Sequence, residues 1–74
     1  MNEQEIIKKI KAIDLEQVSA FSLKILLSQL KHGIESNHIS ALECKERLEK
    51  YIQEYGQLPR VKRDLQKFLG ITTP

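Results

Sequence analysis

LEQVSAFSLKILLSQLKHG, residues 15–33, is the most apolar stretch of the chain, and its reading decides the fold. Placed on a helix of 3.6 residues per turn, Leu23, Ile25, Leu26, Leu27 and Leu30 cover most of the circumference rather than a single stripe. A helix that is apolar nearly all round has to be surrounded by other elements, so the stretch predicts a central helix over about 15–32 in an all-α fold. Ser22 is placed to cap a fresh start, which leaves two readings open: one continuous helix, or a short turn followed by a longer helix. Gly33 is the expected stop, with Lys31 and His32 in the last turn where positive charge suits the helix dipole.

The flanking segments supply what surrounds it. Upstream, Ile6, Ile7, Ile10 and Ile13 share one side of a helix over about 3–13, and Asn2 with Glu5 has the form of a capping box. Asp14, Gln17 and the apolar pair Ile13 and Val18 repeat that signal at once. The turn between the first two helices is therefore short, and they should pack antiparallel. Downstream, IESNHIS reads as a loop whose Ser40 and Glu43 form a further capping box. Ala41, Cys44, Leu48, Ile52 and Tyr55 then line the core side of a helix over 41–55 ended by Gly56, with Tyr51 half-covering the edge. Glu43 with Arg47 and Glu46 with Lys50, each four apart with the acid first, should pair on its outer side. Pro59 suits a first helical position, and Val61, Leu65, Phe68 and Leu69 give a fourth apolar face over 59–69, stopped by Gly70. Residues 1–74 thus read as a single all-helical domain, with three amphipathic helices around the second.

Composition bounds what such a chain does. At 74 residues the core is small, and natural chains of this size often add disulfides, a metal or a partner subunit. Cys44 is the sole cysteine, so no intrachain bridge forms, and a lone thiol suits a reducing, cytoplasmic setting. The charged N-terminal stretch is unlike a secretory signal, and no run approaches the ~20 apolar residues of a membrane span. Net charge is +2, but residues 57–74 carry +3 and residues 1–56 carry −1. That surplus permits nucleic-acid contact without demanding it.

Reactive chemistry finds little support. His32, Glu35, His38 and Cys44 lie within thirteen residues of one another, but their spacing matches no pattern that fixes a tetrahedral metal site. On the apolar side of its helix Cys44 reads as a small core residue rather than a nucleophile served by His38. No phosphate-cradling glycine loop or nucleophile elbow is present. The expectation is a protein with no catalytic, metal or cofactor site.

The closing stretch RVKRDLQKFLGI, residues 60–71, resembles the first helix and turn of the helix-turn-helix in many bacterial and phage repressors. The preceding YGQLP is similar to the lead-in to that helix in LexA-type winged helices. Such a motif reads bases with a second helix, and ITTP is too short to supply one, so the resemblance implies phosphate contact alone. Arg60, Lys62, Arg63 and Lys67 are the candidate phosphate contacts, and Tyr51 beside Tyr55 is a candidate stacking or partner residue. The expected function is a non-enzymatic protein-interaction or regulatory role on a helical surface. A protein partner, most simply a second copy in a homodimer, is expected because the second helix has more apolar side chains than its neighbours cover. The alternative is a nucleic-acid-associated regulator acting through the basic helix.

Overall fold

The structure, a computed structural model, describes residues 2–73. Four helices form: α1 (Glu3–Ala12), α2 (Phe21–Glu35), α3 (Ala41–Tyr55) and α4 (Pro59–Leu69), with a single 3-10 turn, Leu15–Gln17, between the first two. The all-α, four-helix arrangement is the one the apolar patterning predicts. Two starts follow local chemistry. The Asn2 side chain accepts from the Gln4 N–H at 2.8 Å and the Glu5 N–H at 3.4 Å, and the Ser40 hydroxyl accepts from the Glu43 N–H at 3.1 Å. Pro59 occupies the first turn of α4, where its missing N–H costs nothing. Gly70 ends that helix at φ 65°, a left-handed conformation that a side chain disfavours, and the Ile71 N–H closes back onto the Leu65 carbonyl at 3.0 Å.

The buried residues form one cluster drawn from all four helices and the α1–α2 connection. α1 packs on α2, α3 and α4, while α2 contributes Leu23, Leu27 and Leu30, each without solvent exposure. Burial of one such leucine stabilises by about 1.5–3 kcal/mol, so these three matter greatly in a chain of this length. Ile10, Leu48 and Leu65 meet them from the other helices, and Cys44 fills a fully buried small position on α3. Ile13 and Val18 are both buried beside the 3-10 turn, as the expected staple requires.

α2 departs from its predicted bounds at both ends. At the start the second of the two open readings holds: the chain makes the short 3-10 turn, passes through extended Val18 and Ala20, and begins the longer helix at Phe21 rather than at 15. The cap is neither Asp14 nor Ser22. Asp14 accepts from the Glu16 N–H at 3.1 Å and so closes the 3-10 turn, while Ser22 Oγ bonds the Tyr51 hydroxyl at 2.8 Å. Ala20 stands at the cap position with no side-chain acceptor of its own. Asp64 of α4 instead holds the two residues that lead into the helix. Its carboxylate, 3% exposed, accepts from the Ala20 N–H at 2.8 Å, the Ser19 N–H at 3.0 Å and the Ser19 hydroxyl at 3.1 Å. A negative charge here also complements the positive end of the helix dipole.

At the other end Gly33 does not stop the helix. α2 continues to Glu35, and Asn37 takes the left-handed conformation at φ 61°. The bare Cα of Gly33 serves packing instead: a Cβ there would lie 2.3 Å from Ile39 Cδ1, too close for two carbons. Ile39 can therefore fold back over α2, with its N–H and that of His38 donating to the Gly33 carbonyl at 3.2 and 2.9 Å.

Two lysines complete a crosswise scheme. Lys31 of α2 donates to the Ile13 carbonyl at the end of α1 at 3.2 Å, and Lys9 of α1 donates to the Leu69 carbonyl at the end of α4 at 3.1 Å. Together with Asp64, each of three helices lends a charged side chain to the terminus of another. The ring of caps runs α4 to α2, α2 to α1 and α1 to α4. Each charge sits at the helix end its sign favours.

Candidate functional site

Because α2 starts at Phe21, the first residue of the helix faces solvent. Phe21 is 75% exposed, and Ile25, one turn on along the same side, is 45% exposed. At 100° per residue these two lie within 40° of each other and opposite Leu23, Leu27 and Leu30. They share a shallow depression of about 400 Å³ with Leu15, Glu16 and Lys24, bounded by the neutral Ser28 and Gln29. An exposed phenylalanine beside an exposed isoleucine is more than the scatter of single apolar residues that any surface carries. It forms a small apolar centre with a polar rim, the usual anatomy of a docking patch.

The basic candidates divide. Arg60, Arg63 and Lys67 are exposed and lie within 60° of one another around α4, away from Val61, Leu65 and Leu69. Lys62 is half-buried on the opposite flank and does not join them. Asp64, the one acidic residue on α4, turns inward to cap α2. The outer ridge of α4 is consequently basic throughout. Lys67 Nζ rests 5.2 Å from the centre of the Phe68 ring, which holds the base of the ridge against the core margin.

The two tyrosines exchange their expected places. Tyr51 is buried at 9% exposure, bonded to Ser22, while Tyr55 is 42% exposed and tilts against it with ring centres 5.0 Å apart. Both lie on the core stripe of α3. Tyr51 meets the first turn of α2, and one turn farther the stripe has run past the end of that helix and faces water. Tyr55 and the half-exposed Leu58 thus stand at the turn leading to the basic ridge.

The residues with reactive potential are kept apart. Cys44 is completely buried, and that burial pushes its thiol above the usual range against a smaller opposing effect of Arg47. A protonated, inaccessible thiol is a poor nucleophile. Burial likewise raises the Tyr51 phenol, partly offset by the bond from Ser22. His32 and His38 are both exposed, and His38 Nδ1 meets Ser36 Oγ at 3.2 Å rather than Cys44. Among the described residues no three His, Cys, Asp or Glu side chains are grouped to hold a metal ion, and no helix is long and apolar enough to cross a membrane.

Sequence reasoning found the excess apolar character of α2 but not which residues carry it. Phe21 escapes the pattern because periodicity does not place the first residue of the longer helix that follows the turn. Asp64 escaped because nothing local distinguishes it from a solvated aspartate on a basic helix. No protein-family model, curated protein or solved structure matches this chain.

Proposed function

We propose that the chain is a non-enzymatic, regulatory protein-interaction module that docks through the outward face of α2. The observation that carries this reading is the placement of Phe21 and Ile25 one turn apart, exposed and beside Leu15, on a helix whose opposite side is fully buried. Aromatic anchors with an apolar neighbour contribute most of the energy in small interfaces, and the surrounding polar side chains mainly exclude water. The test compares immobilised wild-type protein with a Phe21→Glu/Ile25→Glu variant in an extract of the native host. Both changes lie on the surface, where substitutions typically alter stability by about 0.5 kcal/mol or less, so the variant keeps its helical circular dichroism and melting temperature. A protein retained by the wild type and lost with the folded variant is the expected result. Equal retention by both removes the reading.

One observation favours a second reading, a nucleic-acid-associated role. The inward turn of Asp64 leaves Arg60, Arg63 and Lys67 as an unbroken basic ridge. Three phosphate contacts would make binding to duplex DNA weak and strongly salt-dependent, with a log–log slope of about −3. A chain that ignores duplex DNA at low salt excludes this role. Binding with that slope, lost on Arg60→Glu/Arg63→Glu, supports it.

A further inference from the structure

We infer that the partner received by the outward face of α2 is an acidic amphipathic protein segment, which seats an apolar side chain beside Phe21 and extends its carboxylates to the basic ridge of α4. The inference rests on the docking reading above and adds the partner's chemistry. The two surfaces are tied together through Asp64. Its carboxylate accepts from the Ala20 N–H at 2.8 Å, and Phe21 is the next residue in the chain. On α4, Arg63 adjoins Asp64, Lys67 stands three residues on and Arg60 four residues back, all within about one turn. Standard bond lengths across that hydrogen bond place the Cα atoms of all three basic residues within roughly 18 Å of the Phe21 Cα. An extended segment covers that distance in about six residues. One short partner segment is therefore long enough to reach both surfaces.

Charge then selects the partner. Around the depression Lys24 balances Glu16, and the rest of the lining is uncharged. Arg60, Arg63 and Lys67 are exposed, while Asp64, the one acid on α4, is buried with its oxygens engaged by Ser19 and Ala20. The two surfaces together have a surplus of three positive charges beside an apolar centre, and the complementary partner is apolar with an acidic flank. A nucleic acid also supplies negative charge, but its bases stack on open aromatic faces. The depression is lined by aliphatic Leu15 and Ile25 as well as Phe21, which suits an apolar side chain inserted from a peptide. A second copy of this chain brings the same positive surplus and is repelled.

Fluorescence anisotropy of the full chain with three labelled peptides, each of about four helical turns, tests the inference. The first has Leu and Phe along one helical face and Glu elsewhere. The second replaces every Glu by Gln, and the third keeps Glu but replaces Leu and Phe by Ala. The first should bind about fivefold more tightly than the second and at least tenfold more tightly than the third. Phe21→Ala/Ile25→Ala should weaken its binding at least tenfold and Arg60→Gln/Arg63→Gln about fivefold, and added salt should bring the wild type toward the arginine variant. Circular dichroism melting shows whether each variant remains folded. An acidic peptide that binds no more tightly than either counterpart overturns the inference, as does an arginine variant that binds like the wild type. If Phe21→Glu/Ile25→Glu still loses its extract protein, the docking reading then stands without the acidic partner. DNA of matched length that binds more tightly than the acidic peptide assigns the surface to nucleic acid. A dimer in sedimentation equilibrium that Phe21→Ala/Ile25→Ala disperses assigns it to a second copy. Either result overturns the inference.

Discussion

α2 and α3 have the same length, fifteen residues, and their ends are held by opposite means. α3 starts on its own Ser40, carries the Glu43–Arg47 pair at 2.9 Å on its outer side while the expected Glu46–Lys50 pair does not close among the described residues, and stops at Gly56. Apart from the Thr73 hydroxyl, which donates to the Gly56 carbonyl at 3.1 Å, what bounds it lies within or beside its own segment. α2 starts just after Ser19 and Ala20, whose N–H groups are held by Asp64, more than forty residues away in the chain, and it ends where Ile39 folds over Gly33. The lesson is about where information sits: a helix bounded by its neighbours in sequence forms as its pattern indicates, whereas one bounded by tertiary contacts starts and stops where the packing puts it. For α2 that placement has a functional consequence, because it sets Phe21 in the first turn, facing water.

The largest test of this contrast is Asp64→Ala. Removing the carboxylate leaves the Ala20 and Ser19 N–H groups without their acceptor, at about 1–3 kcal/mol for a buried donor, and removes a favourable charge from the start of the helix. A loss of about 3 kcal/mol is expected, enough to lower the melting temperature by more than roughly 10 °C in a chain of this size. A change below about 1 kcal/mol would mean that α2 does not depend on its distant cap.

Gly33→Ala comes next. Its new Cβ collides with Ile39, a crowding cost of about 1–3 kcal/mol, against which alanine regains about 1 kcal/mol of helix propensity. A net loss of up to about 2 kcal/mol in chemical denaturation is the expected outcome, and adding Ile39→Ala should cancel the crowding. If Gly33→Ala stabilises the protein, the close approach of Ile39 is not what limits this end. Ser40→Ala is the matched measurement on α3 and should cost about 1 kcal/mol, an ordinary local cap. A loss as large as that of Asp64→Ala would erase the contrast between the two helices.

The smallest effect is on pH dependence. Cys44 and Tyr51 both have acid groups raised by burial in the native state, so folding holds their protons more tightly than the unfolded chain does. Their contribution is complete below the unfolded values and is lost as pH rises through the alkaline range, from about 8.5 for a thiol and about 10 for a phenol. Stability measured by denaturation should therefore decline above that point, and Cys44→Ala should shallow the decline. A stability that rises between pH 8 and 10 would contradict the burial of both groups.

How much could be read in advance follows the same division. The four apolar faces, the Asn2 and Ser40 caps, Pro59 and Gly70 all act over one turn of helix, and periodicity reveals such features. The pattern leaves the start of α2 open between two readings because Leu15, Val18 and Ala20 continue it, while the groups that break it are Asp64 and the 3-10 turn at Asp14. Tyr51 and Tyr55 share one helical stripe, so pattern alone does not show where the neighbouring helix ends and burial stops. The basic ridge was legible as four residues but not as three, because only the inward turn of Asp64 and the helical angle of Lys62 separate the exposed set.

The central claim is that the outward face of α2 is the working surface of the molecule. Its most direct measurement places a photoreactive benzophenone amino acid at position 21 in one protein and at position 63 on the basic ridge in another, and irradiates both in the native host. The account predicts a protein adduct from position 21 that disappears when Ile25→Glu is added. Adducts from position 63 alone, with none from position 21, would contradict it.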